Sequence, residues 1–284
     1  MCFDVAVKRY FVIDMRFYTP KPSSRILYPV SFFLSILTYQ LFNHFPSMQA
    51  MIFAAGLGTR FKPWTDKHPK ALALVNGKSL LRRNIEYLHQ YGISRVVVNV
   101  HHFADQVIKE IKDNKGWGSE IFISDERGEL LETGGGLKKA APLFSENNIV
   151  IINADILTDL NLNDMASYHL RQQALATLAV TNRSTSRYFL FDENDTLCGW
   201  RHTKTGEEKI CLPSKNLTQK AFSGIHIINK ELFLLLSREG KFSIVDVYLD
   251  LAKAHIIKGF DHSGSKFIDV GKPESVSLAE KIFK

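Results

Sequence analysis

An apolar run, Met51-Ile52-Phe53, feeds directly into Ala54-Ala55-Gly56-Leu57-Gly58-Thr59-Arg60. This junction constrains the fold of the chain more than any other stretch. Three large apolar residues in succession suit a strand buried on both faces. A glycine-bearing turn at the carboxyl end of such a strand lets backbone N–H groups approach phosphate oxygens without interference from Cβ atoms. Arg60 and then Lys70, within Pro69-Lys70-Ala71-Leu72, bring positive charge to the same mouth. The combination reads as a site for a nucleoside triphosphate. A P-loop is excluded, because Gly-Lys-Ser/Thr does not follow the glycine turn: position 59 is Thr, 60 is Arg, and the lysine comes only at 70. A dinucleotide fingerprint is excluded too, because Phe61 stands where a third small residue is needed for close helix–strand packing.

The pattern downstream alternates strand and helix. Val96, Val97, Val98 and Val100 form a buried strand, preceded by Leu81, Ile85 and Leu88 at helical spacing with Gly92 closing that helix. Phe103, Val107, Ile108 and Ile111 form the next apolar stripe. Residues 121–124 read as a short strand, 136–141 as a helix or its start, and 149–153 as another buried strand. This order predicts an α/β fold with a doubly wound, mostly parallel sheet, whose ligands collect beyond the carboxyl ends of the strands. The second half reads differently. Residues 175–180 alternate into strand, 188–200 suggest a hairpin around Glu193-Asn194-Asp195, and 222–228 return as strand. An amphipathic helix over 244–253 and a terminal helix over 273–283, opening on Pro273, complete the chain.

Residues 54–72, with Pro63, Thr65, Pro69 and Lys70 in place, resemble the signature of the sugar-1-phosphate nucleotidyltransferases, the pyrophosphorylases that make nucleotide sugars. The likeness extends through Glu132-Thr133-Gly134-Gly135-Gly136, Asn153-Ala154-Asp155, Phe222-Ser223-Gly224 and Asp269-Val270-Gly271, over most of the chain from Met48 onward. Within that family, Glu-Thr-Gly-Gly-Gly is most similar to bacterial N-acetylmuramate-1-phosphate uridylyltransferases and to relatives labelled mannose-1-phosphate guanylyltransferase. The resemblance implies a Rossmann-like nucleotidyltransferase fold with an inserted sugar-facing β lobe. Residues 48–284 then form one domain, 48–155 its nucleotide-binding half and 156–284 its sugar-binding half.

Such a reaction needs no general base. The anionic oxygen of a sugar 1-phosphate attacks the α-phosphorus of a nucleoside triphosphate and expels pyrophosphate, and a phosphate monoester is already ionised near neutral pH. The protein must bring two mutually repelling anions into line and neutralise the departing charge. The resemblance assigns Asp155 and Asp269 to Mg²⁺, Arg60 to the β- and γ-phosphates, and Lys70 to a substrate phosphate. Ala54, Ala55, Gly56, Leu57, Gly58 and Thr59 are expected at the nucleotide. Gly134 and Gly135 are expected in a loop against base or ribose, with Glu132 beside the bound sugar substrate and Gly224 where backbone meets the hexose. His101 and His102 stay outside the expected site. Two departures from the family stand out: Glu208-Lys209 is followed by Ile210 rather than proline, which weakens Lys209 as a sugar-phosphate ligand, and Lys272-Pro273 stands where Thr-Pro is usual. The favoured pair is UTP with N-acetylmuramate 1-phosphate. Guanylyl transfer to mannose 1-phosphate, a CTP-dependent reaction on a non-sugar phosphate such as phosphocholine, and an inactive nucleotide-sugar sensor are the alternatives.

Composition sets outer limits. The net charge is +7. Five basic and two acidic side chains in residues 1–47 supply three of those charges, and no basic stripe interleaved with aromatics points to nucleic acid. Three scattered cysteines, Cys2, Cys198 and Cys211, are too few for a disulfide framework and imply a reducing, cytoplasmic setting. The Asn-x-Ser/Thr triplets at Asn182, Asn194 and Asn216 are read as chance. Residues 26–45 carry no formal charge and follow Arg9, Arg16, Lys21 and Arg25, as a signal anchor would, but several polar residues dilute the run. Such an anchor would also send the site away from nucleoside triphosphates. Met48 is therefore expected as the natural start, with residues 1–47 an extension without a fold of its own, and no membrane partner is expected.

Overall fold

The computed structural model describes residues 47–284, so the expectations for the extension, including the apolar run over 26–45, lie outside the described residues. Strand β1 (Met48–Phe53) opens the fold, followed by the small hairpin β2 (Leu74–Val75) and β3 (Lys78–Ser79). Helix α1 (Leu80–Gln90) begins where the Ser79 hydroxyl accepts from the Arg82 amide at 3.2 Å, supplying an acceptor to a first-turn donor. Then come β4 (Arg95–Val100), α2 (Ala104–Asp113), β5 (Glu120–Asp125), α3 (Glu132–Ala140), β6 (Asn148–Asn153) and β7 (Ile156–Thr158). The second half holds α4 (Leu162–Arg171), β8 (Ala176–Thr181), β9 (Arg187–Phe191), β10 (Leu197–His202), β11 (Glu207–Ile210) and β12 (Thr218–Asn229). It closes with α5 (Ile244–Leu251), β13 (Ile257–Asp261), β14 (Phe267–Asp269) and α6 (Glu274–Ile282).

Strands β6, β1, β4 and β5 lie side by side and parallel, the arrangement that crossover helices impose. Beyond β6 the sheet turns mixed. Strand β12 runs antiparallel to β6 and then pairs both β8 and β9, so one ten-stranded sheet runs through both halves of the sequence. The sheet is wound on both faces, and strand alternation divides the core. Ala50, Ile52, Val96, Val98, Val150 and Ile152 pack with α1, α2 and α4, whereas Met51, Val97, Ile149 and Ile151 pack with α3 and α5. Each fully buried Ile, Leu or Met of these layers contributes roughly 1.5–3 kcal/mol. A third cluster, with Phe61, Leu157, Ile268, Val270 and Ala279, fastens α6 and the β7–β14 pair beside the glycine turn.

Helix α3 corrects one expectation. It begins at Glu132 rather than near Gly136, and Gly134 and Gly135 lie inside it, not in a loop. Glycine costs about 1 kcal/mol relative to alanine in a helix, so propensity argues for a loop. Packing overrides it: a Cβ at Gly135 would stand 2.2 Å from the Gly240 carbonyl oxygen, and one at Gly134 would stand 2.4 Å from the Phe242 ring. The segment over 240–242 thus lies against bare helix backbone. The Phe242 carbonyl accepts from the Gly134 amide at 2.9 Å, satisfying a first-turn donor. The Thr133 hydroxyl accepts from the Ile244 amide at 3.0 Å, joining the start of α3 to the start of α5.

Candidate active site

The carboxyl ends of β1, β4 and β6 surround a cavity of about 540 Å³. Its rim is the segment from Ala54 to Arg60, and its walls include Lys70, Asn99, Glu126, Leu130, Glu132, Thr133, Asn153, Asp155 and Gly271. Gly58 adopts the left-handed conformation, φ +60°, and a Cβ there would stand 2.9 Å from Thr65 Cγ2 and 3.0 Å from Lys70 Cβ. Glycine at 58 therefore lets the turn close onto the Thr65 and Lys70 side chains. The Thr65 hydroxyl donates to the Gly58 carbonyl at 3.0 Å and fixes the turn from below.

Asn99 holds the first residues of the turn. Its Oδ1 accepts from the Ala54 amide at 2.7 Å and from the Ala55 amide at 3.3 Å, while its Nδ2 donates to Glu126 Oε1 at 2.7 Å. Glu126 Oε2 accepts from the Leu131 amide at 3.2 Å. Both side chains are buried, so a polar chain runs from the turn on β1, across β4, to the approach of α3. On the opposite wall Asn84 Nδ2 donates to the Ala154 carbonyl at 3.0 Å and steadies the residue preceding Asp155.

Four charged groups converge at the rim. Lys70 Nζ is ion-paired with Asp155 Oδ2. The Val270 amide donates to the Asp155 carbonyl at 2.8 Å, and Asp269 stands opposite Ile156 in the β7–β14 ladder, so the two carboxylates share one strand end although they are far apart in sequence. At Gly271 a Cβ would lie 2.7 Å from Asp269 Oδ1 and 3.3 Å from Arg60 Nη2, which places the guanidinium beside the same loop. Asp269 keeps an edge open to solvent, yet the protein packed around its other sides raises its pKa by desolvation. Asp155 raises it further, against Lys70, Arg60 and Arg183. Two carboxylates whose charges oppose one another fit a divalent cation, which relieves that repulsion. The donors are hard oxygens, and among the described residues no cluster of three or more His, Cys, Asp or Glu could hold a metal. Such a pair suits an ion that keeps waters and takes substrate phosphates as its remaining ligands.

The other expected residues divide. Ala54, Ala55, Gly56, Leu57, Gly58 and Thr59 line the cavity, as does Glu132, whose carboxylate pairs with Lys241 at 3.5 Å. Gly134 and Gly135 do not line it, their Cα positions being covered by Phe242 and Gly240. Gly224, at φ +72°, sits where the β8–β12 register shifts, and a Cβ there would stand 2.6 Å from Nδ2 of Asn153, itself a cavity residue. Lys209 is drawn away: it pairs with Asp246 at 3.2 Å and Glu207 at 3.6 Å and lies over the Trp200 ring. His101 Nδ1 lies 2.6 Å from the Glu126 carbonyl and outside the cavity lining. Asn99, Glu126 and Leu130 escaped the sequence reading, and Asn153 entered it only as a member of the Asn153-Ala154-Asp155 motif, without a role of its own. The available signal was Asn99 itself, a polar residue interrupting a run of valines in a buried strand.

A block of parallel strands whose carboxyl ends carry a glycine-rich turn, with two cations and two carboxylates gathered beside it, fits a nucleotidyl-transferring enzyme. The chain belongs to the nucleotidyl transferase family, whose profile matches residues 49–282. Over 237 residues it is 31% identical to the D-glycero-alpha-D-manno-heptose 1-phosphate guanylyltransferase of Aneurinibacillus thermoaerophilus, covering 82% of this chain and 97% of that protein. Over 108 residues it is 45% identical to the N-acetylmuramate alpha-1-phosphate uridylyltransferase of Caulobacter vibrioides, covering 37% of this chain and 45% of that protein. The crystal structure of HddC from Yersinia pseudotuberculosis complexed with GMP-PN shares the fold, with a TM-score of 0.67, 24% identity, and coverage of 83% of this chain and 99% of that one. Among the described residues no helix is long and apolar enough to cross a membrane.

Proposed function

We propose that this enzyme transfers a nucleoside monophosphate from a nucleoside triphosphate to a sugar 1-phosphate, releasing pyrophosphate, with UTP and N-acetylmuramate 1-phosphate as its substrates. The observation that carries the transfer reaction is the convergence of Arg60, Lys70 and Asp155, which line the glycine-turn cavity, with Asp269, which stands beside its lining residue Gly271. The choice of pair is supported by the 45% identity to the Caulobacter uridylyltransferase across 37% of this chain. The 31% identity to a heptose 1-phosphate guanylyltransferase over 82% of the chain favours GTP as the second reading.

The backbone amides of the glycine turn bind and orient the triphosphate, held in place by Asn99 beneath Ala54 and Ala55. Arg60 stabilises charge building on the departing pyrophosphate, a role worth on the order of 10²–10³ in rate for a preorganised donor. Lys70 lies against a substrate phosphate and, through its ion pair, keeps the Asp155 carboxylate turned to the cavity. Asp155 and Asp269 hold Mg²⁺, which when bound supplies positive charge to phosphate oxygens. The acceptor phosphate is its own nucleophile, so alignment, not proton removal, is the protein's contribution. A cytoplasmic location, where nucleoside triphosphates are abundant, and a product serving cell-wall or polysaccharide synthesis accompany this reading.

Pyrophosphate release, measured over four nucleoside triphosphates and a panel of sugar 1-phosphates with Mg²⁺, tests the proposal. UTP with N-acetylmuramate 1-phosphate is expected to give the highest kcat/KM. Release with GTP and a mannose or heptose 1-phosphate instead moves the substrate assignment, and no release with any pair refutes the transfer reaction.

A further inference from the structure

Arg183 follows β8 and belongs to none of the motifs read above, yet it lies beside the proposed metal ligands. Its Nη2 donates to the Phe222 carbonyl at 2.8 Å, immediately before Ser223-Gly224. Its guanidinium carbon lies 5.3 Å from the centre of the Phe267 ring, and Phe267 and Asp269 occupy positions two apart on β14, on one face of that strand. The charge thus stands between the Gly224 turn and Asp269, and the Asp269 carboxylate is the first favourable charge acting against the desolvation that lowers the Arg183 pKa.

The guanidinium is incompletely satisfied. Its Nε is buried without a hydrogen-bond partner, and Arg183 forms no ion pair among the described residues. A second orphaned polar atom lies on the same ring: Nδ1 of His262, whose amide donates to the Val180 carbonyl and whose ring packs edge-on against Phe267. Two of the five buried side-chain polar atoms without partners among the described residues, Arg183 Nε and His262 Nδ1, therefore belong to groups that pack on one aromatic ring. A desolvated guanidinium with donors to spare is costly unless an anion completes it. Planar donors in fork geometry match the oxygens of a phosphate or a carboxylate. Lys209, which the incomplete Glu-Lys-Pro match offered for the acceptor, is already paired with Asp246 and Glu207.

We infer that Arg183 binds an oxyanion of the acceptor, either the 1-phosphate or a carboxylate on the sugar, and so replaces Lys209 as the acceptor-side cation. The inference rests on the sugar 1-phosphate reading above. Its test compares wild type, Arg183→Gln and Arg183→Lys by steady-state kinetics and by calorimetric titration with N-acetylmuramate 1-phosphate, which bears a carboxylate, and N-acetylglucosamine 1-phosphate, which does not. Arg183→Gln is expected to raise the acceptor KM tenfold or more, weaken acceptor binding equally, and leave the nucleotide KM within twofold. Arg183→Lys is expected to recover part of the loss. A loss shared by both acceptors assigns the 1-phosphate, and a loss confined to N-acetylmuramate 1-phosphate assigns the carboxylate. Wild-type turnover with unchanged acceptor KM in Arg183→Gln overturns the inference alone, as does a lowered melting temperature without any change in acceptor KM, the mark of a purely structural arginine. A wild type that neither binds nor turns over any sugar 1-phosphate overturns the parent reading and this inference with it.

Discussion

Replacing Asn99 by alanine tests whether the glycine turn is held from beneath. The substitution removes the acceptor of the Ala54 and Ala55 amides and the donor to Glu126, whose side chain is 0% exposed. Each buried polar group stripped of its partner costs about 1–3 kcal/mol, more when charged. The two alanine amides border a cavity that admits water, so their loss belongs at the low end, while the Glu126 carboxylate keeps only the Leu131 amide. The expected destabilisation is about 2–4 kcal/mol, and displacement of the turn is expected to raise the nucleotide KM tenfold or more, equivalent to about 1.4 kcal/mol. Urea denaturation measures the first quantity and initial-rate kinetics the second. Asn99→Asp separates the two contacts, because it keeps the acceptor for the turn but sets a second carboxylate against Glu126. That variant is expected to regain stability as the pH falls and one of the pair takes a proton. An Asn99→Ala protein with wild-type urea midpoint and nucleotide KM would refute the reasoning.

Gly135→Ala is expected to destabilise by about 1–3 kcal/mol although alanine is the better helix former, because the new methyl meets the Gly240 carbonyl at 2.2 Å. An unchanged urea midpoint would contradict this. Three buried histidines make stability fall on the acid side of neutrality: burial lowers His169 and His262 to about 4 and His226 to about 3. Above about pH 6.5 the folded and unfolded chains both carry them neutral, but below it only the unfolded chain takes up the protons. Their contribution is therefore lost as pH falls from about 6.5 toward 4, by roughly 1.4 kcal/mol for each histidine at pH 5.5. Unfolding free energies from urea titrations at pH 7.5 and 5.5 check the sign, and equal values would be the adverse result.

The parallel half of the fold was legible because β1, β4 and β6 carry apolar runs buried on both faces, as in Val96, Val97 and Val98, and its helices repeat at the helical period. The glycine turn, Arg60, Lys70 and the two aspartates stood out as motifs, and the fold brings them together, as their proposed roles at phosphate and metal require. What escaped depends on contacts distant in sequence. Helix α3 carries three glycines in its first five residues, and only the approach of the 240–242 segment explains why a poor helical sequence is helical there. Strand β14 is three residues long, and its pairing with β7 is what brings Asp269 to Asp155. Strand β13 and helix α4 likewise take their places through packing on β8. Arg183 carried no local signal at all, since a loop arginine acquires meaning only from the Phe267 ring and the Phe222 carbonyl that receive it.

The central claim is that Asp155 and Asp269 together hold a single divalent cation between the two phosphorylated reactants. Calorimetric titration of Mn²⁺ into the protein in the presence of a non-hydrolysable triphosphate, for wild type and for Asp155→Asn and Asp269→Asn separately, tests it most directly. The account predicts one site per chain in the wild type and at least tenfold weaker binding in each variant, with both variants melting cooperatively. Wild-type affinity and stoichiometry in either variant would contradict it.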